Sequence, residues 1–595
     1  MHYTTVQQRL AKTFVDSNYD RVAIDYADKR ITYGQLNTVA SYIAHKLNEC
    51  KASRGSHIGV YTEDKSLMVA AAVSILRMGM VFIPLDSSYP LNHLSLLCGI
   101  ADITYVITDA NDNQELSEQF NKAELISVSS QVFYDDQLNF SFPLDLNCAD
   151  DPAYIYFTSG TTGQPKAIYG RNSGLAHFIK WEISRFNISQ NIRVSQLTPP
   201  GHDPFLRDIF VPLFVGGTIC IPKDREIILS LPRLADWLDE SDVNIIHCTP
   251  SVFFALCQAQ LHSDKFLNLR YIFLGGERLF AKPLKKWYAT FGDRVILVNL
   301  YGPTETTLAK LYHVVTCQDL ANEQIPIGKP IDDTEVFLLN ADGEQCKSGE
   351  VGEIYIQTEF RSLGYYKRDD LSKELFLPAA RMNDGVVYRT GDLAKKLQDG
   401  SIIFLGRHDD QYKIRGHRIN LGEVETTIIG HSDIENCVVR IQNPGSMNER
   451  LIAYYIPLSN ITEDELKTFM LSKVPDYMLP SVFVPIQSFP MTNNGKIDGD
   501  ALDSERILAI EKHSEHAQPD DLSTKLISIW KEILDRQEVT KDDVFMNIGG
   551  DSLSMMLLIA RLNSDYNYDL TLWQIFDDLT IEKLATYIKD SDNQY

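Results

Sequence analysis

From about residue 20 to 330 the chain alternates short β-branched runs with stretches whose apolar residues recur at helical spacing. His57-Ile-Gly-Val-Tyr61, Thr104-Tyr-Val-Ile-Thr108, Val243-Asn-Ile-Ile-His247 and Val295-Ile-Leu-Val-Asn299 read as strands. Lys65–Gly79 reads as a helix packed on a sheet. Such alternation predicts α/β layers with largely parallel strands. From about 331 to 405 short strands and Gly/Asp turns take over, as in Leu338-Leu-Asn-Ala-Asp-Gly, which predicts a small β-rich unit. Residues 410–503 return to mixed α and β on a smaller scale. The polar stretch Glu511–Asp521 reads as a linker, its His513 and His516 solvated rather than metal-ligating. Beyond it the pattern is helical. Leu526, Trp530, Ile533 and Leu534 share one helix face, and Met555, Met556, Ile559 and Leu562 share another.

At 595 residues the chain is long enough for about four folding units. Fifty-six Lys plus Arg against eighty Asp plus Glu leave a net charge of −24, which repels phosphate backbones and anionic lipid. Nucleic acid and membrane are therefore not expected partners. No run of about 18 apolar residues is present, and the first ten residues lack a basic-then-apolar signal pattern. Nine cysteines without a CxxC spacing argue against a zinc knuckle or a disulfide framework and for a reduced, cytoplasmic location.

Thr158-Ser-Gly-Thr-Thr-Gly-Gln-Pro-Lys166 follows the apolar run Ala153–Phe157. Thr158, Ser159, Thr161 and Thr162 offer hydroxyls, Gly160 and Gly163 expose backbone N–H groups, and Lys166 adds a point charge. Together they suit a polyphosphate. The loop is not GxxxxGK[ST], because Pro165 precedes the lysine, and no GxGxxG occurs. A flexible surface loop is the plain alternative.

This loop resembles the signature loop of the adenylate-forming superfamily, and specifically of nonribosomal peptide synthetase adenylation domains. Four further stretches agree in order: Asn299–Thr307, Tyr388–Ala394, Gly406–Glu425 and Asn494–Asp498. Ala167 stands where the family usually has Gly. The resemblance covers residues 10–503 and implies, over 1–408, a large core of two α/β subdomains plus a small β-barrel. A mobile α+β subdomain over 409–505 and a linker over 506–519 follow.

The resemblance also implies roles. Thr158 to Lys166 hold the β- and γ-phosphates of ATP, Thr304 touches the α-phosphate and Glu305 holds Mg²⁺, a hard cation that prefers carboxylate oxygen. Tyr301, followed by Gly302, stacks on adenine, and Asn299 bonds its amino group. Asp392 accepts the ribose hydroxyls and Arg407 assists. Lys496 bridges the substrate carboxylate and the α-phosphate. Asp409 is the hinge, and His202 gates a pantetheine tunnel or is packed core.

Asp543–Ser554 is a second constellation, with Ser552 exposed by preceding glycines at the start of a helical pattern. It lacks the second Gly of GxSxG. It resembles a peptidyl carrier domain over 520–590, a four-helix bundle whose serine receives 4′-phosphopantetheine. Fifteen acidic and seven basic side chains over 520–595, a net of −8, suit docking on a basic phosphopantetheinyl transferase.

The reaction implied has two steps, an aminoacyl adenylate and then a thioester on the carrier. The chain would load a substrate, while a condensation, reductase or thioesterase partner acts next. The family's pocket positions fall on Asp203, Pro204, Arg207, His247, Phe273, Gly275, Leu300, Leu308, Ala309 and Lys496. Asp203 matches the partner of a substrate ammonium. Arg207 and His247 point to an acidic amino acid: glutamate, 2-aminoadipate or aspartate. Arg207 could instead pair with Asp208. The run His202–Phe210 also resembles aminoadipate reductases, in which a distal carboxylate is adenylated. An acyl-CoA ligase and an inactive carrier scaffold are the rival readings.

Overall fold

The computed structural model describes residues 5–592 except 17–18, 110–113, 121, 136–139, 141, 143–149, 159–164, 225–226, 229, 259–260, 323, 379–384, 408–410, 415–416, 443–448, 460, 488, 491–501, 503–520, 535, 537–538, 542, 546–547, 549, 551–553, 556–557, 560 and 563–578.

Two sheets build the large N-terminal part. One has six strands in the order Glu124–Ser127, Tyr105–Thr108, His57–Tyr61, Val81–Pro84, Pro152–Thr158 and Lys166–Arg171, parallel except for the last pair. The other has nine, running Lys329–Pro330, Leu311–Val314, Ile296–Tyr301, Tyr271–Gly275, Ile245–Cys248, Arg193–Ser195, Thr218–Ile221, Val22–Tyr26 and Lys29–Thr32. Its central strands are parallel and read as continuous apolar runs because helices cover both faces. The helix Lys65–Arg77, capped by Asp64 through Ser66 and Leu67 N–H groups, is buried along nearly its whole length. It joins a large core cluster with the helices Asn172–Arg185 and Pro204–Val215.

The β-rich unit expected after residue 331 is an antiparallel five-stranded sheet built on the long strand Val386–Lys396. A hairpin, Gln411–Ile414 with His417–Asn420, opens the next part. A three-stranded sheet of Ile434–Gln442, Arg450–Pro457 and Val482–Pro485 completes it, packed on the helices Leu421–Ile429 and Glu463–Leu471.

Toward the C-terminus the helices Asp521–Leu534 and Ile581–Asp592 are described, with Trp530 edge-on to Phe545 at 4.7 Å. Leu526, Trp530 and Leu534 are buried together with Met555, Ile559 and Leu562, and Ile533 packs against them. Met556 lies outside the described residues, as do the linker histidines 513 and 516. Eight described cysteines are unpaired thiols. No helix among the described residues is long and apolar enough to cross a membrane.

Candidate active site

Parallel strands of the nine-stranded sheet deliver Tyr301, Gly275 and His247 at or next to their carboxyl ends, where α/β sheets open into a crevice. The chain then turns sharply. Thr307 and Leu308 both take positive φ, at 69° and 57°, which L-residues adopt only when their surroundings hold them there. Gly302 makes the turn possible: a Cβ there would lie 2.2 Å from the Leu308 carbonyl oxygen. The single 3₁₀ turn Thr304–Thr306 inside this loop presents Glu305.

Glu305 is buried. Its Oε1 accepts from the Tyr365 hydroxyl at 2.7 Å and from Arg418 Nη1 at 2.8 Å, while its Oε2 is buried with no hydrogen-bond partner among the described residues. Burial pushes the carboxyl up, but the Arg418 charge and the Tyr365 hydrogen bond outweigh it and hold Glu305 at about 2. An ionised carboxylate with one open oxygen fits a hard cation.

Asp203 sits at the N-cap of the helix Pro204–Val215, a position from which Asp normally caps, yet it makes no cap hydrogen bond. Its Oδ1 accepts from Thr304 Oγ1 at 3.2 Å and its Oδ2 from Leu308 N–H at 3.4 Å. The strained turn therefore holds the carboxylate away from its own helix and against the loop that carries Glu305. Pro204 is the first helical residue, where a missing N–H is harmless.

On the nucleotide side, Asn299 donates through Nδ2 to the Pro326 carbonyl at 2.8 Å, leaving Oδ1 buried without a partner among the described residues. That orphan acceptor fits an exocyclic amine. Tyr301 is buried, its ring 6.0 Å from Phe404 and its hydroxyl donated to Asp392 Oδ2. Arg407 pairs with Asp392 Oδ1. Thr158 and Lys166 face each other across the antiparallel pair that closes the phosphate loop, and Lys166 is buried. Ser159, Gly160, Thr161, Thr162 and Gly163 lie outside the described residues, as do Asp409, Lys496 and Ser552.

The small subdomain meets the large one here. His417 lies flat on Tyr477 at 4.0 Å and edge-on to His202 at 4.5 Å, and Tyr477 reaches Tyr89 at 6.0 Å. Burial pushes His202 below the ordinary histidine range.

Behind the site Phe273, Leu300, Leu308 and Ala309 are buried in one cluster, and Gly275 lies beside Leu300, whose carbonyl oxygen a Cβ there would approach to 3.3 Å. His247, expected to face a substrate carboxylate, is occupied by two of the protein's own: Nε2 hydrogen-bonds Glu182 Oε1 at 2.9 Å, and Nδ1 lies 3.1 Å from Asp208 Oδ1. The second approach is charge to charge rather than along an N–H direction. Arg207 Nε stands 3.6 Å from the same Asp208 oxygen, again without hydrogen-bond geometry. The terminal nitrogens of Arg207 make no hydrogen bond to a described residue.

Sequence reasoning missed Glu182, Tyr365 and Arg418. Glu182 did leave a signal: it continues the Leu175, Phe178, Ile179 stripe of its helix, so a carboxylate stands where the core-facing period demands an apolar group.

The chain matches the AMP-binding enzyme family over residues 11–366, the AMP-binding enzyme C-terminal domain over 423–496 and the phosphopantetheine attachment site over 524–588. Tyrocidine synthase 1 of Brevibacillus parabrevis is 31% identical across 96% of this chain, and bacitracin synthase 1 of Bacillus licheniformis is 31% identical across 96%. The chain spans 52% of the first relative and 11% of the second. Among solved structures, the holo form of a nonribosomal peptide synthetase protein containing adenylation and PCP domains, bound to a vinylsulfonamide inhibitor, superposes with a TM-score of 0.82 at 25% identity, covering 99% of this chain and 97% of that one. An artificially fused adenylation–PCP didomain from Klebsiella oxytoca gives 0.72 at 21% identity, covering 99% of each, and supports the fold alone. The chain belongs to the AMP-binding enzyme family. Within it, the chain joins an adenylation unit to a phosphopantetheine attachment domain, the arrangement of nonribosomal peptide synthetase proteins containing adenylation and PCP domains.

Proposed function

We propose that the protein adenylates an amino acid and transfers it as a thioester to the phosphopantetheine of its own carrier domain at Ser552. One observation carries this reading: Thr304 Oγ1 bonds Asp203 Oδ1 at 3.2 Å while the next residue is Glu305. A counter-charge for an ammonium group and a seat for a phosphate-bound cation thus share one turn. An acyl-CoA ligase needs the second but not the first.

In the first step a carboxylate oxygen attacks the α-phosphorus of ATP, and the bond to pyrophosphate breaks. Negative charge shifts on the phosphoryl oxygens, so positioning and electrostatics carry the catalysis. Mg²⁺, when bound, supplies charge neutralisation at the phosphates, with Glu305 as its carboxylate. Lys166 and Thr158 bracket the phosphate loop, Asn299 offers its free Oδ1 to the adenine amine, and Asp392, steadied by Tyr301 and Arg407, takes the ribose. Lys496 would meet both the substrate carboxylate and the α-phosphate. For the second step, phosphopantetheine held on Ser552 would supply the thiol that takes the acyl group, with AMP leaving with the bonding pair of the acyl–phosphate bond. His202 lines the approach and Asp409 is the hinge.

For the substrate, the guanidinium of Arg207, buried one turn beyond Asp203, supports an oxygen-bearing side chain, since its terminal N–H groups need acceptors. Glutamate, 2-aminoadipate or aspartate follow from that. The acids Glu182 and Asp208 offset the positive charges of the pocket and favour a neutral amide, glutamine or asparagine, as the second reading. A phosphopantetheinyl transferase and a downstream condensation, reductase or thioesterase activity are the partners this role requires. ATP–pyrophosphate exchange across the twenty amino acids and 2-aminoadipate tests the reading. Exchange with a polar amino acid is expected; exchange only with carboxylic acids lacking an amine would refute it.

A further inference from the structure

Beyond the strained turn lies a buried cation without a counter-charge. Lys310, the residue after Ala309, is fully buried, and its Nζ has no hydrogen-bond partner among the described residues. The backbone fixes its direction. Its N–H donates to the Tyr301 carbonyl at 2.7 Å, and two residues on Tyr312 pairs with Leu300, so Lys310 and Tyr312 share one face. The helix Asn172–Arg185 covers that face: Trp181 lies 5.1 Å from the Tyr312 ring, and Arg185 donates to the Tyr312 hydroxyl at 2.8 Å. Two extended residues and four helical ones each advance about 6 Å, so stepping back from Tyr312 to Lys310 matches stepping back from Trp181 to His177. One turn earlier a Cβ on Gly174 would meet Thr307 Oγ1 at 2.8 Å, which confirms the same direction. Lys310 therefore stands under the first two turns of this helix.

Donors are in excess at that end of the helix. Asn172 Oδ1 accepts from Val6 N–H at 3.0 Å, which leaves Nδ2 buried without an acceptor among the described residues. The Asn172 N–H goes to the Asp151 carbonyl at 3.0 Å, while those of Ser173 and Gly174 lie before the first intrahelical acceptor. Arg171, the N-cap residue, makes no side-chain cap and donates instead to the Arg361 carbonyl at 2.8 Å and to exposed Asp150 at 2.7 Å. The charge that acts on Lys310 is that of Arg171, which has the same sign. We propose that Lys310 and the first turn of the helix Asn172–Arg185 form a site for one small monovalent anion of the chloride class. An isolated buried ammonium is costly, and an anion shared by Nζ, the Asn172 amide and the opening N–H groups of the helix removes that cost. One positive charge in a closed site selects a singly charged ion, because sulfate and phosphate lose far more on dehydration. None of these groups belongs to the nucleotide or amino-acid seats, so the site stands apart from the proposed function.

The test uses the full chain in sodium gluconate, titrated with sodium chloride or bromide at constant ionic strength, beside Lys310→Met and Arg171→Gln. Chlorine-35 line width reads binding directly, since an immobilised chloride relaxes fast. The unchanged chain is expected to broaden the line saturably, with bromide competing, and to melt about two degrees higher in chloride than in gluconate. Lys310→Met should lose the broadening and the salt effect, and should melt above the unchanged chain in gluconate by a margin that chloride narrows. Arg171→Gln keeps the ammonium and should weaken chloride by roughly three- to tenfold, which decides the matter even if Lys310→Met fails to fold. Equal broadening by Lys310→Met, an affinity untouched by Arg171→Gln, or no saturable broadening by the unchanged chain overturns the proposal. So does a melting gain from Lys310→Met that is the same in both salts, the result for an amine that simply sits neutral. Pyrophosphate exchange is not part of the readout, so failure of the functional reading and failure of this site are told apart.

Discussion

Arg418 of the small subdomain donates to Oε1 of Glu305 in the large one at 2.8 Å, joining residues 113 apart in sequence. The hairpin that carries Arg418, Gln411–Ile414 with His417–Asn420, is thereby seated on the carboxylate that would hold Mg²⁺. Both cations draw on the same buried acid, so this docking suits the step after pyrophosphate and metal have left. Replacing Arg418 with Met should therefore spare pyrophosphate exchange and slow thioester formation by roughly ten- to a hundred-fold, the size of a lost charge-assisted hydrogen bond. Quenched-flow measurement of each half-reaction checks this. Equal losses in both would mean that the pair only holds the fold.

Asp203→Asn keeps the shape of the acceptor for Thr304 and Leu308 but removes the charge that faces an ammonium. The amino-acid KM should rise by roughly tenfold or more while the ATP KM changes little. Steady-state exchange separates the two. A raised ATP KM with an unchanged amino-acid KM would place Asp203 on the wrong substrate.

Lys310 is fully buried, and its Nζ has no hydrogen-bond partner among the described residues. Burial, aided by the Arg171 charge, pushes it down from 10.5 to about 7. The unfolded chain thus holds a proton that the folded chain gives up between pH 7 and 10.5, so this group makes stability rise with pH across that window and imposes its full penalty below it. Lys310→Met, which keeps the stem and drops the charge, should stabilise the chain by a few kcal/mol at and below neutral pH. The gain should shrink toward pH 10. Thermal melts from pH 6 to 10 test this, and a pH-independent difference would contradict it.

Much of the frame was legible because strands buried on both faces are written as unbroken β-branched runs. His57–Tyr61 forms a strand with the predicted bounds, and the helix expected over Lys65–Gly79 runs Lys65–Arg77. The run from Val243 starts its strand only at Ile245, because Asn244 spends its side chain sideways, accepting from Arg193 N–H at 2.8 Å and donating to the Asn268 carbonyl at 2.9 Å. What stayed hidden were contacts whose partners lie far off in the chain. Glu182 stands out on the core-facing stripe of its helix, but no local feature names its partner until His247 is folded against it. Arg418 sits inside a stretch that resembled the family's hinge, yet nothing local says that it reaches Glu305. The surroundings of His247 were hidden for the same reason: its residue type suggested a ligand for substrate, and only the fold brings Glu182 and Asp208 beside its two ring nitrogens.

The most direct test of the central claim is the intact mass of the phosphopantetheinylated chain after incubation with ATP, Mg²⁺ and a mixed amino-acid pool, read beside Ser552→Ala and Lys496→Ala. The account predicts one aminoacyl increment on the holo chain and none on Ser552→Ala, which keeps pyrophosphate exchange. Lys496→Ala should lose exchange yet still accept an acyl group from a supplied adenylate. Acylation of Ser552→Ala, or exchange without any increment on the holo chain, would contradict it.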